Sequence, residues 1–225
     1  EFRRVLFRST KIIFCTATVG SGHLKAAEAI AKYFKDSKII DILDFTPKWF
    51  NKIYHDGYFF AVKHFPKIVG WCYYTSDISL EERGIFSDII DWFEDLICKK
   101  FINLEELKNA DIIVSTHFLT TGLLARMKMR GLINVPIVTV VTDNYPHSIW
   151  LEQNIDLLCV SNKVSKEISI YRGINKNKIM VTGIPVSEKF KKQLKQNNIK
   201  PKILVTGGGD GIGEIERTVK YILQI

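Results

Sequence analysis

The 225-residue chain is predicted to be an α/β protein, a Rossmann-like doubly wound parallel sheet with a helical, aromatic-rich insert. Three observations lead to this prediction. Short apolar runs alternate with amphipathic segments, a glycine-containing turn joins the first run to the first segment, and residues 47–100 interrupt the alternation with aromatic and lysine-rich sequence. Because parallel strands are joined by right-handed crossovers, such alternation favours helices on both faces of one sheet.

The first predicted elements are a strand, a turn and a helix. Residues 11–16 are an apolar run of the kind that is buried in a parallel sheet. Residues 23–34 are predicted to be helical, because their apolar side chains recur at intervals of three and four. Residues 38–42 form a second short strand.

The insert is predicted to form two or three helices between strands of the sheet, because its aromatic residues recur at helical spacing. Its later part, residues 85–101, is amphipathic. Lysines accompany the aromatic residues of 47–74, a combination that suits the surface of an anionic bilayer. The alternative is an ordinary amphipathic helix with buried rings. The candidate membrane contacts are Trp49, Phe50, Phe59, Phe60 and Trp71.

The alternation resumes after the insert and then starts again near the end of the chain. Residues 1–9 are interpreted as a non-native leader, because the chain lacks an initiator Met and these residues do not form a secretory signal. Polar residues 189–201 indicate a linker, and a second strand, glycine loop and helix follow. The remaining predicted strands are 111–116, 136–142, 156–160, 178–181 and 202–206, and the remaining helices are 119–129, 163–171 and one that begins at residue 214.

Composition narrows the classes of function. A net charge of +8 predicts an anionic partner, which is nucleic acid, a nucleotide phosphate or a membrane surface. Nucleic acid is the weakest of these, because no helix-turn-helix, zinc-finger or RNP-like motif is present. The four cysteines fit no CxxC or zinc spacing and predict reduced thiols in a cytoplasmic protein, and no carboxylate cluster predicts a metal.

The first turn is a candidate phosphate and base site. Gly20, Ser21 and Gly22 allow a ligand to approach the backbone closely, and the helix start presents free N–H groups to an anion. His23 lies in the first helical turn, where the helix dipole favours a neutral imidazole that acts as a base. The alternative is a turn that only permits tight packing, with a capping histidine.

Polar and aromatic residues follow the next two strands of the predicted sheet. His117 comes directly after strand 111–116, and Asp143 follows the strand after it. Ligands bind beyond the carboxyl ends of parallel strands, so both are candidate ligand contacts. Helix capping and an Asx turn are the alternatives. His147 and Trp150 follow on a polar loop, where a tryptophan is not easily explained as part of the core.

A family resemblance now becomes specific. Residues 18–30 read TVGSGHLKAAEAI and resemble the SxGxGHxxAAxAI signature of monogalactosyldiacylglycerol synthases and bacterial processive diacylglycerol glucosyltransferases, with Thr18 in place of the usual Ser. Further segments resemble the family in the same order, so that the resemblance covers residues 11–213. These segments are 39–44, 110–117, 141–143, 147–150 and 182–186.

The resemblance implies a GT-B glycosyltransferase that transfers a hexose from UDP-glucose or UDP-galactose to diacylglycerol with inversion, without a further cofactor. Residues 10–188 would be the acceptor-side domain and 202–225 the start of the donor-binding domain. His23 would be the catalytic base, and the protein would lie peripherally on the inner face of the cell membrane. The implied acceptor contacts are His117, Asp143, His147 and Trp150, and the implied donor-phosphate contacts are Gly20, Ser21, Gly22, Gly207, Gly208, Gly209 and Gly211.

Two other functions remain open from the sequence. One is sugar transfer to an isoprenoid-linked cell-wall precursor, which a more distantly related enzyme with a similar glycine turn performs. The long aromatic insert and the loop at 147–150 favour diacylglycerol over that acceptor. The other is a non-catalytic module that binds a membrane surface, because the chain holds only the start of the donor-binding domain.

Overall fold

A computed structural model describes residues 10–19, 21–82, 84–190, 203–206 and 214–224, with the backbone only at 55, 58, 59, 85 and 86. The chain divides into two compact units, with the boundary after Ser187. The first unit contains the sheet and the insert. The described part of the second contains one regular helix.

The described residues form one six-stranded, all-parallel sheet with the order β2-β1-β3-β4-β5-β6. The predicted fold class is therefore confirmed. The order reverses between β1 and β3, and this switch point is where open α/β sheets bind ligands. The strands are β1 Ile12–Thr16, β2 Ser37–Asp41, β3 Ile112–Ser115, β4 Ile137–Val140, β5 Leu157–Val160 and β6 Ile179–Val181.

Helices cover both faces of the sheet and make up the insert. A π-helical turn, Ile53–Gly57, lies within the insert, and a 3-10 turn, Ser148–Trp150, follows β4. The described helices are α1 Ser21–Ala31, α2 Lys48–Lys52, α3 Tyr58–His64, α4 Pro66–Thr75, α5 Ile85–Ile97, α6 Lys99–Ile102, α7 Glu105–Lys108, α8 Phe118–Met129, α9 Lys163–Tyr171 and α10 Ile215–Ile222.

Burial on both faces explains why the strands are continuous apolar runs. In β1, Phe14 packs with Ala27 of α1 on one face of the sheet. Ile13 belongs to the larger core on the other face, together with Leu123 and Leu124 of α8. A strand covered on both sides has no polar face, so it shows no alternation in sequence.

The structure differs from the predicted elements in several places. Helix α1 ends at Ala31 instead of residue 34, because the Ser37 hydroxyl donates a hydrogen bond to the Ala31 carbonyl (3.0 Å) and caps the helix end. The insert contains four helices, more than predicted, since Pro66 begins α4 directly after α3. The strand predicted at 202–206 is wrong, because residues 203–206 form no strand and the described part of their unit offers no strand to pair with.

Candidate active site

The candidate site lies at the carboxyl ends of β1, β3 and β4, at the switch point of the sheet. Helix α1 begins after β1 and carries His23, and His117 follows β3. The two rings meet edge to face with their centroids 4.5 Å apart, although 94 positions separate them in sequence. Trp150 lies behind them, with its centroid 5.9 Å from that of His23. The structure therefore brings three of the predicted site residues together.

Backbone and hydroxyl contacts orient the His23 imidazole. Its Nδ1 lies 3.0 Å from the carbonyl oxygen of Thr116 and 2.7 Å from Oγ1 of Thr142. Because a carbonyl oxygen can only accept, a proton on Nδ1 satisfies both contacts. In the neutral ring, Nε2 then carries a lone pair, and no group in the described part of the chain hydrogen-bonds to it. The ring is set to accept a proton at Nε2.

Burial keeps the His23 imidazole neutral. It is the largest influence on the His23 pKa and lowers it below its usual value. The negative charge of Asp143 and the hydrogen bond to Thr116 act in the opposite direction, and the net pKa remains lowered. The sequence argument invoked the helix dipole for the same outcome, whereas in the structure desolvation is the main cause.

His117 caps helix α8, and its ring packs against the ring of His23. The backbone N–H of Leu119 donates to its Nδ1 (3.1 Å), so the proton of the neutral ring lies on Nε2. Burial, together with the neighbouring His23, holds the pKa of His117 well below its usual value. The ring is 1% exposed, so in this structure it packs against His23 and offers little surface to a ligand.

Buried hydroxyl groups surround the cap of α8. Oγ of Ser115 lies 2.6 Å from Oγ1 of Thr120 and 2.8 Å from Oγ1 of Thr121, and it donates to the carbonyl of His117. The hydroxyls of Thr16 and Thr116, at the ends of β1 and β3, are also buried but have no hydrogen-bond partner among the described residues. Unpaired buried polar groups are rare in proteins, and this pair lies at the candidate site.

Asp143 and Trp150 form a pair directly beside the histidines. The indole N–H of Trp150 donates to Oδ2 of Asp143 (2.7 Å), which fixes the carboxylate near His23. Trp150 is fully buried and belongs to the main core, so the interpretation that its polar loop keeps it out of the core is wrong. The 3-10 turn folds the ring inward, and the carboxylate satisfies the one polar atom of the indole.

His147 lies outside this group and anchors the insert. It is fully buried, its Nε2 donates to the carbonyl of Tyr73 (2.8 Å), and the two rings lie in a tilted contact with centroids 4.1 Å apart. Asp77 reinforces the junction, since it accepts from the Ser148 N–H (2.8 Å) and from Arg172 (2.6 Å). The described contacts of His147 thus point to a role in holding α4 against the loop after β4.

The glycine turn is only partly described. Gly20, Gly207, Gly208, Gly209 and Gly211 lie outside the described residues. Ser21 and Gly22 begin α1 and are exposed, and a Cβ built on Gly22 would have no atom within 4 Å. Among the described residues, packing therefore does not require glycine at position 22.

The structure separates the predicted membrane contacts. Trp49, Phe60 and Trp71 are exposed. Phe50 is half-buried, packs on the core and stacks on Tyr54 at 5.2 Å, so its ring is not part of the exposed set. The side chain of Phe59 lies outside the described residues. No helix within the described ranges has the length and apolar character needed to cross a bilayer.

One contact at the site and one set of contacts between α5 and α8 were not predicted from sequence. Thr142 holds Nδ1 of His23 and precedes Asp143 in a motif that already resembled the family. Arg126 donates to Asp91, Glu94 and Asp95 and fixes α5 on α8, and no sequence spacing indicated this contact. Across the described residues, no group of three or more His, Cys, Asp and Glu side chains is arranged to hold a metal ion.

Comparison with known proteins finds relatives that match most of this chain. The chain is 28% identical over 220 residues to the uncharacterized glycosyltransferase YkoN of Bacillus subtilis (strain 168), covering 94% of this chain and 57% of that protein. It is 23% identical over 214 residues to a processive diacylglycerol beta-glucosyltransferase of Bacillus cereus (strain B4264), covering 89% of this chain and 50% of that protein. The chain thus spans between 50% and 57% of the length of these two relatives.

A family profile matches most of the first unit. The profile of the family described as monogalactosyldiacylglycerol (MGDG) synthase matches residues 23–186. This range begins at His23 and includes His117, Asp143 and Trp150, so it contains the whole cluster described above. The match covers well over half of the chain, and the chain therefore belongs to the monogalactosyldiacylglycerol synthase family.

Proposed function

We propose that this protein transfers a hexose from UDP-glucose or UDP-galactose to the free hydroxyl of diacylglycerol with inversion, and that His23 is the general base. The observation that carries the proposal is the geometry of the His23 ring, whose Nδ1 contacts Thr116 and Thr142 and whose Nε2 is left to accept a proton; burial lowers the pKa of the ring and so favours its neutral form. The names of the relatives support the acceptor, since one is a processive diacylglycerol beta-glucosyltransferase.

The chemistry of the reaction matches this arrangement. The lipid hydroxyl becomes a better nucleophile as it transfers its proton to Nε2 of His23. Its oxygen then bonds to the anomeric carbon while the bond from that carbon to the diphosphate breaks, and UDP leaves with the electron pair. Attack on the face opposite to the leaving group inverts the anomeric centre. The exposed start of α1 at Ser21 and Gly22 presents backbone N–H groups suited to the diphosphate.

The proposal places the protein on the inner surface of the cell membrane, where diacylglycerol is found. Trp49, Phe60 and Trp71 are exposed on the insert, and the net charge of +8 favours an anionic surface. Apolar side chains that insert into the bilayer surface, together with electrostatic attraction to anionic lipids, can hold a protein at the membrane without a transmembrane segment. The donor is itself the activated sugar, so the proposed reaction needs no other cofactor.

The proposal is tested by sugar transfer with the longest open reading frame that contains these residues. UDP-glucose and UDP-galactose are supplied separately with diacylglycerol in anionic vesicles, and glycolipid is quantified. His23→Ala should lower the rate by about 10²- to 10⁴-fold, the usual contribution of a general base. Lys25→Ala is the matched control on the same helix, where an exposed ion pair with Glu28 is lost and activity should be retained.

The outcomes separate the reaction from the residue. Equal rates of glycolipid formation by the parent and by His23→Ala would support the proposed reaction but show that His23 is not the general base. If neither donor yields glycolipid, diacylglycerol is not the acceptor, and the same preparation is then assayed with an isoprenoid-linked acceptor.

A further inference from the structure

The segment after β4 carries two residues of the candidate site. Residues 143–150, called the β4 loop below, begin at Asp143 and end at Trp150, whose indole N–H bonds to that carboxylate (2.7 Å). Asp143 is the charge that acts on His23, and the Trp150 ring lies behind the His23 ring. The position of the β4 loop therefore sets the surroundings of the proposed base.

Asp77 holds the second half of the β4 loop. It lies two residues after the end of α4, and its Oδ1 accepts the backbone N–H of Ser148, the first residue of the 3-10 turn (2.8 Å). The Ser148 hydroxyl donates to the carbonyl of Ser76 (3.0 Å), so two adjacent residues bind the start of this turn. Because Trp150 ends the same turn, these bonds fix the direction from which its indole reaches Asp143.

Arg172 holds the first half of the β4 loop. It follows the last residue of α9, and its guanidinium donates to the carbonyl of Pro146 (2.8 Å), to the Tyr145 hydroxyl and to Oδ2 of Asp77 (2.6 Å). A planar, forked guanidinium can bond to a carbonyl and a carboxylate at the same time. Arg172 and Asp77 thus join three segments that are distant in sequence: the end of α4, the β4 loop and the end of α9.

The ion pair of Asp77 and Arg172 is largely shielded from solvent. The two side chains are 12% and 10% exposed. Burial acts to raise the pKa of Asp77, but the Ser148 N–H, Arg172 and the other bonded groups together lower it below its usual value. The paired, ionised carboxylate is thus part of the folded structure near neutral pH, and breaking a shielded pair of this kind is costly.

We infer that Asp77 and Arg172 are positioning residues of the active site: they fix both halves of the β4 loop and so hold Asp143 and Trp150 beside His23. The catalytic part of this inference rests on the function proposed above, whereas the positional part does not. Neither residue hydrogen-bonds to His23 in the described part of the chain, so both act through the loop.

The indole N–H of Trp150 reports the position of the loop without any reaction. The chain has four tryptophans. Trp150 is buried and bonded to Asp143, whereas the others are more than half exposed, namely Trp49, Trp71 and Trp92. One indole proton should therefore exchange with solvent slowly and three rapidly. NMR spectroscopy of the isotope-labelled 225-residue chain follows each indole proton and the backbone amides of β3 in the same sample.

Asp77→Asn should speed exchange of the Trp150 indole proton roughly tenfold relative to the β3 amides. The amide side chain can still accept from Ser148, but it cannot pair with the charge of Arg172, so the loop opens locally more often. Tyr145→Phe removes only a hydroxyl that contacts both members of the pair. It should cause a smaller change in the same direction, and it provides the test if Asp77→Asn does not fold.

Asp156→Asn is the control with the same chemistry. Asp156 also accepts a backbone N–H, from Ile137 (2.7 Å), and pairs with Lys128 (2.5 Å). It directly precedes β5 and therefore lies at the amino ends of the strands, whereas the candidate site lies at the carboxyl ends. Any loss of overall stability in this variant should change the exchange of the indole and of the β3 amides by the same factor.

The sugar-transfer assay tests the catalytic part of the inference. Asp77→Asn should lower kcat by about three- to tenfold, which corresponds to one ordinary hydrogen bond, and Asp156→Asn should leave it unchanged. In an Asp143→Asn background, Asp77→Asn should lower kcat little further, because residues that act through one network are not additive. An additive loss would reject the route through the β4 loop.

Two exchange results would overturn the positional part. One is relative exchange of the Trp150 indole that stays at the parent value in both Asp77→Asn and Tyr145→Phe, and the other is the same relative increase in Asp156→Asn. The positioning and the reaction fail independently. Faster relative exchange in Asp77→Asn of a protein that transfers no sugar supports the positioning of the loop and rejects the reaction. Sugar transfer with parental kcat and exchange in Asp77→Asn does the reverse.

Discussion

At the scale of single residues, the hydrogen bonds around His23 determine which ring nitrogen is left to accept a proton. The Thr116 carbonyl can only accept from Nδ1 and therefore favours the tautomer with a free Nε2, and the Thr142 hydroxyl can accept from the same N–H. Thr142→Val removes one of these contacts and should lower kcat by about three- to tenfold, which corresponds to one ordinary hydrogen bond. Thr142→Ser retains the hydroxyl and should retain kcat. If Thr142→Ser is as slow as Thr142→Val, the hydroxyl is not the cause.

The charge of Asp143 sets the pH dependence of the proposed base. The pKa of His23 is lowered by burial and raised in part by Asp143, and the neutral ring is the active form. The rate should therefore stay constant as the pH falls to the usual histidine value of about 6.5 and decrease only below it. Asp143→Asn removes the negative charge but can still accept from Trp150, so the decrease should move to lower pH. A shift to higher pH in the rate profile would contradict this electrostatic role.

Burial of neutral His117 also links stability to pH. The folded pKa is well below the unfolded value, so below about pH 6.5 the unfolded chain binds a proton that the folded chain excludes. Stability is thus present above this pH and decreases as the pH falls, by at most about 1.4 kcal/mol per pH unit for one group. His117→Asn can still cap α8 and should flatten urea-denaturation stability between about pH 5 and 6.5. An unchanged slope in the variant would exclude His117 as the source.

At the scale of elements, the attachment of α5 depends on one buried arginine. Arg126 of α8 bonds to Asp91, Glu94 and Asp95, and its side chain is only 9% exposed. Arg126→Met removes the cation that the three carboxylates share, although Arg130 still bonds to Asp95, and it should destabilise the fold by about 3–5 kcal/mol. Lys38→Met, which breaks an exposed pair with Glu106, should cost at most about 1 kcal/mol. Chemical denaturation measures the free energy of unfolding of both variants. Similar losses of stability in the two would refute the role of burial.

Features that depend on residues close together in sequence were predicted more accurately than features that depend on distant contacts. The six strands of the sheet were predicted to within two residues at each end, because burial on both faces produces a continuous apolar run, whereas the strand predicted at 202–206 was wrong. Within the site, His23 and His117 were identifiable because His23 lies in the first turn of the helix after β1 and His117 lies just after β3, so position alone brings them to one edge of the sheet. The burial of Trp150 was not predictable, since it depends on a hydrogen bond to Asp143 and on packing against helices that are distant in sequence.

At the scale of the whole molecule, two sources of membrane affinity are expected to combine. The charge of +8 attracts an anionic surface over a distance and is screened by salt. The exposed rings of Trp71 and Trp92 contribute apolar contact that salt does not weaken. The exposed apolar side chains of α4 and α5 make the insert the expected point of contact.

These two sources can be separated by sedimentation with anionic vesicles at low and high salt. The double variant Trp71→Ser/Trp92→Ser should lose the binding that persists at high salt but retain part of the binding at low salt, because its net charge is unchanged. Tyr171→Ser removes an aromatic residue that is 86% exposed on α9, outside the insert, and should bind like the parent. If Tyr171→Ser lost as much vesicle binding at high salt as the double variant, exposed aromatic rings anywhere on the surface would contribute equally. The insert would then have no special part in membrane binding.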